Sequence, residues 1–409
     1  MNESKPRFNL LRQLGLVVLL ALATLAVAHA RSVPSENVPN PVVPRNVPNP
    51  DVPTNPVIAP RPAPDASIEV AFVLDTTGSM SGLIEGAKQK IWAIANQMAG
   101  AKQGAKVRIA LIGYRDRGDA YVTKRFDLTD DIDGIYAHLR AFQAQGGGDT
   151  PESVNQALHE AVNDLSWTAD DSVYRVVFLV GDAPPHTDYP QDVQYAATVR
   201  LAKTKGIVIN TVQCGGDPTT TPIWREIASI GLGQYAAIAQ DGGMLALATP
   251  MDEELTRLNR ALASTVLSYG EADERRAMEE KVKNSIDADA PVVASRLSYL
   301  AKSGKRAISG MSDLVDAFKD GLDLGSVAKA NLPAAMQPMS PEEQGVFVQQ
   351  KLEERERVQI EIDDITVRRD RWVRAETERQ RASGRADGFD ATVFETVKKQ
   401  AAAKGILYE

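Results

Sequence analysis

Val70 to Leu74 is an unbroken apolar run that stops at Asp75-Thr76-Thr77-Gly78-Ser79. Five apolar residues without polar alternation read as a strand buried on both faces, the mark of a parallel sheet wrapped by helices. In open sheets of that kind, ligands bind beyond the carboxyl ends of the strands. Asp75 stands at such an end. Together Asp75, Thr77 and Ser79 set one carboxylate and two hydroxyls at alternate positions, a donor set suited to a hard divalent cation.

Directly after this loop Ile84, Ala87, Ile91, Ile94 and Met98 recur at spacings of three and four, which predicts a helix with one apolar stripe to lay on the sheet. Strands are expected at Val107 to Tyr114, about Tyr121 to Leu128, Tyr174 to Val180, Ile207 to Val212 and Tyr235 to Ala239. Helices are expected from about 131 and 151 and near 191 to 205. Alternation of this kind predicts an α/β fold with a doubly wound, mostly parallel sheet in a three-layer sandwich over residues 67 to 247. Asp75 is then expected at a solvent-facing edge.

The D-x-[ST]-x-S pattern of Asp75, Thr77 and Ser79 resembles the start of the metal-ion-dependent adhesion site of the von Willebrand factor A domain family. Residues 113 to 119 and 210 to 215 look like stretches of a bacterial and extracellular branch of that family, and the resemblance covers nearly all of 67 to 247. It implies one Mg²⁺ or Mn²⁺ held by three loops at the carboxyl edge of the sheet. The third loop would give Asp182, which follows the buried run Val176 to Val180. In the second loop the chain departs from the family. Gly146-Gly147-Gly148-Asp149-Thr150 puts Gly148 where a threonine is usual, so Asp149 or Thr150 would supply the oxygen. The resemblance further implies a protein partner that presents an acidic residue to the ion. On physical grounds alone, two or three carboxylates at one edge repel one another unless a cation or protons compensate.

Composition removes other classes. A formal net charge of -8, without a concentrated basic face, argues against nucleic acid as partner. The one cysteine, Cys214, excludes an intrachain disulfide framework and is expected in the core. His138, His159 and His186 are not at zinc-binding spacing, and Gly146 to Gly148 lacks the Lys-Ser or Lys-Thr of a phosphate cradle. Asp116 is read either as a turn residue or as a neighbour of the metal edge. Arg117-Gly118-Asp119 spells an adhesion tripeptide, too short a match to carry a claim.

At the N-terminus Lys5, Arg7 and Arg12 precede an apolar run from Leu14 to Ala28, with Ala28-His29-Ala30 before Arg31. That order predicts a signal peptide over 1–30, cleaved near Ala30, and an exported, periplasmic, envelope or secreted protein; an uncleaved segment would instead be a membrane anchor. Residues 31–66 are proline-rich and repeat Asn-Val-Pro-Asn-Pro, which predicts an extended linker, a ligand for a proline-binding module being the alternative. Residues 248–409 read as a mainly α-helical region. A helix is expected around Met251 to Ser268. A long one begins near Ser340-Pro341, with Ser340 as cap and Pro341 in the first turn. Val348, Leu352, Val358, Ile362, Ile365, Trp372 and Val373 share one broad side of it, while Arg355 and Arg369 interrupt the stripe and disfavour a regular coiled coil.

Three functional readings follow. The first is a non-enzymatic, metal-dependent module for adhesion or assembly in the cell envelope, since no general base stands beside a nucleophile. The second is an aspartyl-phosphate phosphatase of the haloacid-dehalogenase-like kind, with Asp75 as nucleophile, although the second acid and lysine loop it needs are not found. The third is a structural envelope protein with a vestigial metal site.

Overall fold

The computed structural model describes residues 66–148, 150–243, 247–304, 306–383 and 388–408. The expected signal segment, nearly all of the proline-rich linker, and Asp149 lie outside them. In chain order the sheet module consists of β1 (Ser67–Asp75), α1 (Ser81–Ala99), β2 (Lys106–Tyr114), β3 (Thr123–Thr129), α2 (Ile132–Ala141), α3 (Val154–Asn163), β4 (Tyr174–Gly181), α4 (Tyr195–Thr204), β5 (Ile207–Cys214), α5 (Thr220–Ile230) and β6 (Leu232–Ile238). The helical region follows as α6 (Asp252–Ala263), α7 (Ala272–Asp287), α8 (Ala290–Lys302), α9 (Leu314–Lys319), α10 (Pro341–Ala382) and α11 (Phe389–Ala401).

The six strands lie in the order β3-β2-β1-β4-β5-β6. All neighbours are parallel except β2 and β3. The winding reverses between β1 and β4, which pair with Leu74 beside Val180, so Asp75 and Asp182 both emerge at the topological switch point, where open α/β sheets form their ligand crevice. Alternate residues of β1 feed two cores. Ile68, Val70, Phe72 and Leu74 pack with α1 and α2 on one face, and Ala71 and Val73 pack with α3, α4 and α5 on the other. The apolar stripe expected on α1 is buried at every position.

Behind α1 the chain makes an unusual choice. Val393, Val397 and Ala401 of its last long helix, α11, lie in the same core as Phe72 and Phe178, and Phe389 meets Phe72 edge-on at 6.1 Å between ring centres. Gln400 of α11 exchanges amide hydrogen bonds with Asn210 of β5 and accepts from the Tyr174 hydroxyl at 2.5 Å. The described residues cluster as one compact unit. Strand and helix composition changes sharply at about 250, but burial does not.

α10 begins with a reciprocal cap. Ser340 Oγ accepts from the Glu343 amide at 3.3 Å, and Glu343 Oε2 accepts from the Ser340 amide at 2.7 Å. Its inner side packs on α6, α8 and α9 of the same chain. Arg355 and Arg369 are not breaks in that side: both are buried in it, Arg355 against Asp313 and Asp316, Arg369 against Asp252. A buried charge needs a partner in fixed geometry, and here each guanidinium finds carboxylates from other elements. Among the described residues no helix is long and apolar enough to cross a membrane.

Candidate metal centre

Three loops meet at the carboxyl ends of β1 and β4, and backbone hydrogen bonds stitch them together. The first loop joins the second through Gln145 N to Thr76 O and Gly78 N to Gly146 O, at 3.1 and 3.2 Å. The second joins the third through Glu152 N to Pro184 O and His186 N to Glu152 O, at 2.9 and 3.0 Å. Two glycines make the approach possible. Gly147 has φ of +72°, and a Cβ there would stand 2.8 Å from Thr77 Cβ and 3.1 Å from Glu152 Oε1. A Cβ on Gly181 would fall 3.2 Å from Asp75 Oδ2.

Asp75 is fully buried beneath these loops, not at the solvent-facing edge expected from its place after β1. The loops that follow other strands fold over it, which no local pattern around Asp75 encodes. Its Oδ1 accepts from Thr77 N and Thr77 Oγ1 at 2.8 and 2.6 Å. Its Oδ2 is buried without a hydrogen-bond partner. Thr77 Oγ1 lies 3.3 Å from the exposed Ser79 Oγ. The first loop therefore brings together the three donors expected of it.

Asp182, half-buried, sits at the end of β4 but is held to one side: its Oδ2 accepts from Gln240 Nε2 at 2.6 Å, and the same amide nitrogen is 3.3 Å from Ser79 O. Thr150 is exposed on the second loop, before a cis bond to Pro151. Asp149 lies outside the described residues. Asp116 is buried and accepts from Ser153 Oγ and Tyr189 OH, both at 2.7 Å, so it braces the second and third loops. The Arg117-Gly118-Asp119 tripeptide is not a free recognition loop, since Arg117 is paired with Asp192 and Asp119 accepts from the Gly147 amide.

One residue of the site was missed from sequence. Glu152 is 3% exposed, and its Oε2 has no partner. In sequence it looks like an ordinary acid ahead of a helix; its burial depends on the short parallel bridge to Pro185. Paired orphan oxygens show in the titration of both acids. Burial pushes the Asp75 carboxyl up to about 7 against the pull of its two bonds from Thr77, with Asp182 adding to the rise and Arg115 opposing it. Burial, then the charges of Asp75, Asp116, Asp119 and Asp182, push Glu152 up to about 9. The Arg115 guanidinium is committed elsewhere, donating to Thr76 O and Gln143 O.

Such a site fits a hard divalent cation: buried carboxylate oxygens lacking donors, two hydroxyls beside them, and an excess of negative charge. Among the described residues no group of three or more His, Cys, Asp or Glu is placed to hold a metal. The molecule thus carries an open, mostly parallel α/β sheet with an acidic, hydroxyl-bearing crevice at its switch point.

Residues 69–250 match the family model of the von Willebrand factor A domain. Over this segment the chain has the von Willebrand factor A domain. The chain is 30% identical over 121 residues to an ariadne-like RING finger protein of Acanthamoeba polyphaga mimivirus, an alignment covering 30% of this chain and 11% of that protein. Its identity to the human von Willebrand factor A domain-containing protein 7 is 33% over 116 residues, covering 28% of this chain and 12% of that one. The chain thus matches about a tenth of the length of these relatives. Among solved structures it is similar to proximal thread matrix protein 1 from the mussel byssus, at 17% identity and a TM-score of 0.34 over 43% of each chain. The SpRpn10 VWA domain aligns at 13% identity and a TM-score of 0.32, over 43% of this chain and 88% of that one.

Proposed function

We propose that the chain is an exported, non-enzymatic binding module that takes up Mg²⁺ or Mn²⁺ at Asp75, Thr77 and Ser79 and uses the ion to grip an acidic side chain of a partner protein in the cell envelope. The observation that carries this reading is Asp75 Oδ2, a fully buried carboxylate oxygen without a hydrogen-bond partner at the switch point of the sheet. An unpaired buried charge is costly, and a divalent ion offsets that cost while leaving coordination positions for an outside oxygen. Export rests on the sequence pattern ahead of Arg31 alone. Assembly or adhesion accounts for the site with fewer parts than a reaction would, because the described residues of the crevice present acids and hydroxyls and no base beside a nucleophile.

Calorimetric titration of the full chain with Mn²⁺ and Mg²⁺, beside Asp75→Ala, tests the metal. Saturable binding that disappears in the variant, with an unchanged far-ultraviolet spectrum, is the expected result. Binding of equal affinity by Asp75→Ala would remove the reading. Capture of envelope proteins with and without EDTA then tests the metal dependence of partner binding.

A further inference from the structure

Among the described residues, five buried carboxylates have an oxygen without any hydrogen-bond partner: Asp75, Glu152, Asp192, Asp313 and Asp316. Three of them are paired with arginine, Asp192 with Arg117 and both Asp313 and Asp316 with Arg355. Asp75 and Glu152 are the two without an ion pair, and they stand in one crevice. Neighbouring acids differ from them. Both oxygens of Asp116 accept hydrogen bonds, Asp119 accepts from two backbone amides, and Asp182 is held by Gln240.

Glu152 is also held rigidly. Its amide and carbonyl are both bonded to the third loop, and its Oε1 and Thr77 Cβ lie within 3.1 and 2.8 Å of the place a Cβ on Gly147 would take. It does not cap α3, which starts two residues later behind Ser153. Two buried acids, one from each of two loops, carry the two negative charges that a divalent ion needs for neutrality, while Asp182 stays aside on the Gln240 amide. From this arrangement we infer that Glu152 is a resident ligand of the metal, standing in for the threonine that Gly148 replaces and holding, from inside the chain, the place a partner's carboxylate would take.

This inference rests on the metal-site reading above. If it holds, the ion binds without any partner, and an acidic partner must compete with Glu152 for the ion. The cost of the two uncompensated acids is then a property of the metal-free protein alone. Removing one charge by Glu152→Gln, which keeps the side-chain shape, relieves that cost when the metal is absent and removes a ligand when it is present.

The test is a Mn²⁺ titration of the full chain, as wild type, Glu152→Gln and Asp75→Ala, with melting temperatures of each in EDTA and in saturating Mn²⁺. The expected result is partner-free binding by the wild type, weakened roughly tenfold or more in Glu152→Gln. The melting temperature of Glu152→Gln is expected above wild type in EDTA and below it in Mn²⁺. A purely structural glutamate would shift both melts in the same direction. Unchanged affinity together with melts that keep their order overturns the inference, as does a wild type that binds no Mn²⁺ at millimolar concentration. Loss of binding in Asp75→Ala with none in Glu152→Gln sinks this inference and leaves the metal site standing. Equal binding by Asp75→Ala and wild type sinks both.

Discussion

Asp75 and Glu152 show how one side chain's environment sets the behaviour of the site. Both carboxyls titrate far above their ordinary values of 3.8 and 4.5, at about 7 and about 9, because burial and like charges favour the neutral form. Between the ordinary and the raised values the folded metal-free protein therefore holds more protons than the unfolded chain, and its stability falls as pH rises. The metal-free protein is expected to melt progressively lower from about pH 5 to about pH 9. Mg²⁺ must displace those protons, so its stabilising effect is expected to grow over the same range. Melting curves across that range with EDTA or Mg²⁺ check both signs; curves in EDTA that rise with pH would show that other groups dominate. The D-x-T-x-S donors were legible in sequence because they lie within one turn of a strand end. Glu152 was not, because its burial comes from Pro184 to His186, which follow β4 in the chain.

At the scale of elements and loops, close approach depends on missing atoms. Gly147 occupies a left-handed conformation against Thr77, so Gly147→Ala brings a Cβ to 2.8 Å from Thr77 Cβ and separates the first two loops. A cost of about 1–3 kcal/mol is expected, with weaker Mn²⁺ binding, measurable by urea unfolding and titration. A second element-level tie joins α8 to α2. Arg296 Nε and Nη2 donate to the two oxygens of Asp133 at 2.7 and 3.0 Å, both side chains being buried. Arg296→Ala leaves Asp133 without its ion pair and is expected to cost about 3–5 kcal/mol in urea unfolding. Lysine should not restore it, since the pairing is bidentate. The stripe on α1 and the cap of α10 were legible, being periodic or local. Arg355 and Arg369 read as interruptions in the stripe because their carboxylate partners come from segments distant in sequence.

For the whole molecule the decisive contact is α11 against the sheet. Phe389, Val393, Val397 and Ala401 are each at most 2% exposed and cover the face that Phe72 and Phe178 present. The three larger side chains, at about 1.5–3 kcal/mol each, amount to a substantial part of the ~5–15 kcal/mol that holds a typical domain folded. A chain ended at residue 387 is therefore expected to lose its cooperative melt and near-ultraviolet circular dichroism. A truncated chain melting at the full-length temperature would show α11 to be an accessory. The same packing ties the helical region into one compact unit with the sheet that carries the acidic crevice.

The sequence by itself determined the doubly wound sheet, the strand that ends at Asp75, the three side-chain oxygen positions of the first loop and the places of α1, α2, α3, α4, α6 and the start of α10. Each is written in a period or in a few consecutive residues, because backbone geometry repeats every two or 3.6 residues. Tertiary structure alone decided that Asp75 is buried, that Glu152 joins it, that Asp182 is held aside by Gln240, and that the last helix completes the core of the first strand. Those outcomes turn on which distant segments share a surface, and the free energy that selects them comes from burial and charge pairing across the chain, which no local pattern records.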